Sequence, residues 1–168
     1  MLHQCEKNKK FSDKDIRVYA QWLQWASEKR QCEKYDLCPV VNEWSNYDCF
    51  QIKYDCDGDW ELQCLELKGR YYKSTAFPDC IVEYTKIKKL QRYSATTNIP
   101  VFLIGIYYPD RKICIWKIDP EKEYQIVDRL CEHTQDDWSK GKIIKQVVAF
   151  PMTEAKKYTI PQHISFDC

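Results

Sequence analysis

Hydrophobic and polar positions alternate most cleanly between residues 48 and 70. In Trp60–Arg70 (W-E-L-Q-C-L-E-L-K-G-R), Trp60, Leu62 and Cys64 share one face and Glu61 and Gln63 the other, the period of two that a strand requires. Asp48–Asp55 (D-C-F-Q-I-K-Y-D) alternates in the same way, with Phe50, Ile52 and Tyr54 on its apolar face. Between them lies Cys56-Asp57-Gly58, and a three-residue loop with Gly58 in the left-handed position joins the two as a hairpin. Such a loop sets Tyr54 opposite Trp60, Ile52 opposite Leu62 and Phe50 opposite Cys64, merging the two apolar stripes. A two-residue Asp57-Gly58 turn would put each stripe against polar residues instead. At the end of the merged stripe the pattern breaks. Glu66 and Lys68 stand where core residues are due, and the register brings Asp48 opposite Glu66.

The rest of the chain supplies elements around this hairpin. Ser12–Arg30 has a helical period, with Ser12 as cap, Asp13 and Asp15 in the first turn, and Ile16, Tyr19, Leu23 and Ala26 inward; Trp22 and Trp25 widen the stripe. Gln31–Asn46 reads as a loop or short edge strand, because Pro39 cannot donate to a ladder. Gly69–Pro78 breaks the pattern as a loop, and Cys80–Tyr84 is short and apolar. Thr85–Thr96 is a second helix, with Ile87, Leu90 and Tyr93 inward and Pro100 beyond its end. Val101–Tyr108 has the continuous apolar character of a central strand, and Ile113–Ile118 pairs back on it after a turn. Asp119–Asp137 is ambiguous between helix and extended chain. Lys142–Phe150 is a last strand, Thr153–Lys157 a short helix, and the tail from Tyr158 extended. The expected fold is a single α/β domain over residues 1–168, with a mixed central β-sheet of about five strands flanked by helices.

Composition narrows the function only a little. The 168 residues carry a formal net charge of +1, so any surface for nucleic acid must be local. Charged residues at 30% with aromatics at 14% argue against disorder. No apolar run is long enough to cross a membrane, and Met1–Lys10 lacks the apolar centre of a signal peptide. The ten cysteines are scattered without a C-x-x-C pair, which points to thiols in a cytoplasmic protein rather than to zinc or a disulfide framework.

The chemistry-bearing feature is therefore the charged end of the hairpin. Two carboxylates about 5 Å apart at the edge of a core repel each other and resist desolvation. A divalent cation between them relieves both penalties, and oxygen ligands without His or Cys suit Mg²⁺ or Mn²⁺. Lys68 stands beside that position, where an ammonium orients a water or neutralises a phosphate. On this reading Glu66→Gln relieves repulsion and raises the melting temperature of the ion-free protein. Nearby, Arg70, Tyr71, Tyr72 and Lys73 mix cations with stacking rings, which suits phosphate and base contacts. Glu83 and Lys86, at the start of the second helix, lie close enough to extend a metal site or hold phosphate.

Asp48, followed on the next antiparallel strand by Glu66-Leu67-Lys68, resembles the PD-(D/E)XK nuclease superfamily, the restriction-endonuclease-like fold. The order of elements over about residues 12–118 is similar to that family's, with a helix and a strand after the E-x-K segment. Tyr47 departs from the pattern, standing where the family name expects proline. The resemblance implies that Asp48 and Glu66 bind Mg²⁺ or Mn²⁺, that the Leu67 carbonyl adds a ligand, and that Lys68 is the catalytic lysine. It also implies an acidic residue from the first helix, for which Glu28 is the candidate. The function so implied is metal-dependent hydrolysis of phosphodiester bonds in nucleic acid, DNA before RNA. A non-catalytic nucleic-acid-binding module and a structural or protein-interaction domain are the alternatives; no membrane partner is expected, and a homodimer stays open.

Overall fold

No glycine or proline interrupts the chain before Ser12, so the first helix has nothing to stop it there. In the computed structural model, α1 spans Leu2–Arg30. Ser12 is consequently a mid-helix residue rather than a cap, and Asp13 and Asp15 do not lie in a first turn. Backbone is described for residues 2–30, 34–39, 47–132 and 141–166, and side chains for 13–29, 34–38, 47–131 and 141–166. The expected segments 31–33, 40–46 and 133–137 lie outside those residues.

The strands follow as β1 (Lys34–Pro39), β2 (Cys49–Tyr54), β3 (Trp60–Arg70) and β4 (Asp79–Glu83), then α2 (Tyr84–Thr97), β5 (Val101–Tyr107), β6 (Lys112–Ile118), β7 (Ile126–Glu132), β8 (Lys142–Pro151) and β9 (Lys156–Thr159). A mixed six-stranded sheet has the order β1-β2-β3-β5-β6-β9, and a separate three-stranded sheet the order β4-β8-β7. The expected α/β fold with a mixed sheet stands, with six strands in place of about five and a second sheet beside the helices. The main sheet has six strands, and one of its faces is shared between α2 and the second sheet.

The β2–β3 hairpin has the register that its alternation dictates: Tyr54 faces Trp60, Ile52 faces Leu62 and Phe50 faces Cys64. Gly58 sits in the loop at φ +86°, where a side chain is strained. Asp55 accepts hydrogen bonds from the amides of Asp57 and Asp59 at 3.0 Å each, closing the turn. β3 and β5 run parallel, so the chain between them must cross over, and β4 with α2 forms that crossover.

Alternation divides the core between the two faces of the main sheet. Leu65, Leu67, Ile104, Ile106 and Ile113 pack against Val18, Tyr19, Trp22, Leu23 and Ala26 of α1. Cys64, Leu103, Trp116 and Ile118 pack against Ile87 and Leu90 of α2 and Val82, Val148 and Phe150 of the second sheet. Towards the hairpin tip, the face expected to be buried is not. Trp60 is 67% exposed, whereas Gln51 and Gln63 on the opposite face are buried. They survive there because α1 covers them: Tyr19 donates to Gln51 at 3.2 Å and Gln51 to Gln63 at 2.7 Å.

The tail corrects a further expectation. Instead of a helix over Thr153–Lys157, the chain turns and β9 adds to the edge of β6, Tyr158 facing Ile113. Tyr158 and Ile160 thereby join the apolar face beneath α1. Arg111 pins the segment beyond, donating to the carbonyls of Ile160, Pro161 and Ile164. Cys49, Cys64, Cys80 and Cys114 are buried thiols outside any disulfide. No helix among the described residues is long and apolar enough to cross a membrane.

Candidate active site

The site forms where β3 outruns β2. The ladder between them ends at Cys49 opposite Leu65, while β3 continues to Arg70 alongside β5. Backbone groups on the open edge still need partners. Asp48 lies one residue beyond the ladder, and its amide donates to the Leu65 carbonyl at 3.0 Å although Cys49 already opposes Leu65. Two residues against one is the arrangement of a β-bulge, which re-aims the side chain. The Asp48 carboxylate accordingly turns to the edge and accepts from the Leu67 amide at 2.7 Å. The next amide on that edge, Gly69, donates to Asp15 of α1 at 2.9 Å, and Asp15 also accepts from the Tyr108 hydroxyl. A Cβ on Gly69 would lie 2.5 Å from an Asp15 oxygen, so the approach requires glycine. The Leu67 carbonyl points to the same open edge as its amide, between the two carboxylates.

Glu66 and Lys68 project from the face that α2 covers. Glu66 is completely buried. Lys68 approaches one of its oxygens at 2.7 Å and Lys86 of α2 the other at 3.0 Å, and no further donor among the described residues reaches either oxygen. The Lys68 and Lys86 side chains are half-buried, at 30% and 28% exposure. Asp48 and Glu66 carry two negative charges, Lys68 and Lys86 two positive ones, and the quartet is balanced.

Proton affinities follow from this crowding. Burial, then the charge of Glu66, pushes the Asp48 carboxyl up to about 6, against the pull of Lys68, the Leu67 amide and Lys86. Burial pulls the Lys68 ammonium down, but Glu66 and Asp48 outweigh it and the net shift is upward. Lys68 is thus held protonated. Burial also raises Asp15, overcoming its hydrogen bonds from Tyr108 and Gly69 and the attraction of Lys68 and Lys14.

Among the described residues no group of three or more His, Cys, Asp or Glu side chains is placed to hold a metal ion. The carboxylates of Asp48 and Glu66 lie within each other's electrostatic reach, and the Leu67 carbonyl belongs to the strand edge whose amide Asp48 accepts from. All are hard oxygens, and Glu66 has two buried oxygens that only movable ammonium groups engage. That donor set fits Mg²⁺ or Mn²⁺ in chemistry, with water completing the coordination.

The other residues singled out in the sequence fall into different places. Lys86 joins the site through Glu66. Arg70 turns to β4, donating to the Ile81 carbonyl at 2.9 Å and lying 3.6 Å from the Cys80 sulfur. Tyr71 is exposed and stacks on Tyr108 at 5.2 Å between ring centres, with the Lys14 ammonium 4.9 Å from the centre of the Tyr108 ring. Tyr72 packs edge-on against Phe77 and Tyr107, and Lys73 is exposed. Glu83 is paired with Lys145 at 2.6 Å on the second sheet. Glu28 is exposed and bonded to Gln24, about 20 Å along α1 from Asp15. The acidic residue that α1 does bring to β3 is Asp15. Its signal was present, because Asp15, Tyr19, Trp22 and Ala26 form one helical stripe and an acid on a buried stripe demands a partner.

No family model matches the chain, and neither a curated protein nor a solved structure proves similar to it.

Proposed function

We propose that the protein is a Mg²⁺- or Mn²⁺-dependent nuclease of the PD-(D/E)XK kind on a restriction-endonuclease-like scaffold, acting on phosphodiester bonds in nucleic acid, DNA before RNA. The observation that carries this reading is the fully buried Glu66, beside Asp48 and held only by two half-buried lysines. A carboxylate buried at such cost is what a functional site requires and a stable core does not. The element order supports it too: an antiparallel hairpin, a crossover through α2, and a parallel β5 beside the strand bearing Glu66-Leu67-Lys68.

In this reading Asp48, Glu66 and the Leu67 carbonyl would hold the ion. The chemistry a bound dication supplies is polarisation of the phosphate and acidification of a water. Lys68 would place that water or neutralise charge gathering on the phosphate. Asp15 fixes the backbone at Gly69, and Tyr71 on Tyr108 offers a ring face beside the same edge for a base to stack upon.

The test is incubation with single- and double-stranded DNA and RNA in Mg²⁺, Mn²⁺ or EDTA. Cleavage should appear with either ion and vanish in EDTA. Asp48→Asn, Glu66→Gln and Lys68→Ala should each abolish it at temperatures where circular dichroism shows them folded. Three variants that all cut like the parent would remove the assignment. A second reading, a non-catalytic nucleic-acid-binding module, is favoured by the balanced charge of the quartet, which needs no ion. It requires binding in EDTA and cleavage under no condition.

A further inference from the structure

The face of the main sheet away from Glu66 holds a cavity that the nuclease reading does not use. It lies between α1 and the strands β2, β3, β5, β6 and β9, with a volume of about 240 Å³. That is below the range of pockets for drug-sized ligands, so its occupant is smaller. Phe102, Ile115 and Tyr158 make its wall apolar and aromatic. One polar group of the lining is left over. Trp22 is 3% exposed, and its buried indole N–H has no acceptor among the described residues. A buried donor of that kind is costly, and most proteins avoid it. The amides nearby do not relieve it: Tyr19 donates to Gln51, Gln51 to Gln63 and Gln63 to Glu61. The charges of the lining have one sign, Lys53 and Lys156 with no acidic side chain. Glu61 opposes Lys53 across the hairpin but stands outside the cavity. Lys156 opposes Ile115, and Tyr158 on the same side of β9 brings its ring to 5.1 Å from that of Trp22. An indole donor and an ammonium thus flank one aromatic end of the cavity.

We infer that this cavity binds a small aromatic carboxylate, its ring against Phe102, Ile115 and Tyr158 and its carboxylate accepting from the Trp22 indole beside Lys156. The anion supplies the acceptor that the indole lacks and the negative charge that the lining lacks, and the ring covers the apolar wall. The site lies on the opposite face of β3 from Glu66 and Lys68, and it stands whether or not the nuclease reading does.

The test is a titration of the whole chain, labelled with ¹⁵N, with phenylacetate, reading the indole N–H resonances. That of Trp22 is assigned by its absence from Trp22→Phe or, if this variant does not fold, through the backbone of the parent. Phenylacetate should move the Trp22 resonance saturably below about 10 mM, the range for a ligand of about ten non-hydrogen atoms. The resonance of the exposed Trp60 should stay in place. Phenylacetamide has the same body without the charge and should bind about tenfold more weakly. Lys156→Met, a substitution at an exposed position, should weaken phenylacetate binding about twofold to fivefold and leave phenylacetamide nearly unchanged. A Trp22 resonance that phenylacetate leaves in place would overturn the proposal. Equal affinities for the acid and the amide would overturn it as well, since no carboxylate seat would then exist, and so would a Trp22 resonance that only single-stranded DNA moves.

Discussion

Glu66 shows how far a residue depends on what surrounds it. As half of a carboxylate pair it would be a source of repulsion, and its removal would stabilise the ion-free protein. Lys68 and Lys86 reverse that expectation, because Glu66→Gln would leave two ammonium groups without their counter-charge. Both can retreat toward solvent, so the loss should fall below that for a sealed pair, at about 1–3 kcal/mol. Urea unfolding in EDTA measures it, and a variant as stable as the parent would show that neither lysine relies on Glu66. Asp48 adds a dependence on pH. The folded protein raises its carboxyl from 3.8 to about 6 and so holds this proton more tightly than the unfolded chain does. The resulting stabilisation is fully present below pH 3.8 and is lost as pH rises through about 6. Asp48→Asn has no such titration, so its melting temperature in EDTA should gain on the parent's between about pH 4 and pH 7. A constant difference across that interval would contradict the placement of Asp48 in a buried, negatively charged setting.

Among elements, the open edge of β3 is what assembles the site. β2 stops short, and the amides of Leu67 and Gly69 are taken up by carboxylates from the bulge before β2 and from α1. Asp15→Ala would strip the Gly69 amide and the Tyr108 hydroxyl of their acceptor together, at a cost of about 1–3 kcal/mol. Gly69→Ala should cost a similar amount by pushing Asp15 aside, and the double variant should lose far less than the two losses added, since both break one contact. Additive losses in thermal melts would mean that the two residues act separately. Glu28→Ala, on the exposed face of the same helix, should stay within about 0.5 kcal/mol of the parent.

For the whole molecule the deciding fact is that both faces of the main sheet are covered, but not along the same length. α1 reaches over Gln51 and Gln63, while Trp60 at the far end of the opposite face is left in solvent. Trp60→Ala should therefore change stability by less than about 0.5 kcal/mol, despite the size of the side chain. Gln63→Ala should cost about 1–3 kcal/mol, because the buried Gln51 amide loses its acceptor. The reverse order of these two effects in denaturant unfolding would mean that α1 does not lie where it is described.

Whatever depended on neighbours in the chain was legible in the residues themselves. The hairpin register follows from a period of two and a glycine in the turn, and a one-residue slip would have turned every side chain over. The expected pairing of Asp48 opposite Glu66 did not follow from that register, because the ladder ends at Cys49 opposite Leu65 and a bulge turns Asp48 to the Leu67 amide, whereas the apolar run of β5 announced a central strand. Which face of the hairpin would be buried was not legible, because alternation marks two faces without saying what will cover each. Asp15 comes from the helix on the face opposite α2, and β9 joins an edge formed far back in the chain. Those contacts depend on how the layers stack, and stacking is settled by the burial of the whole core rather than by any local pattern.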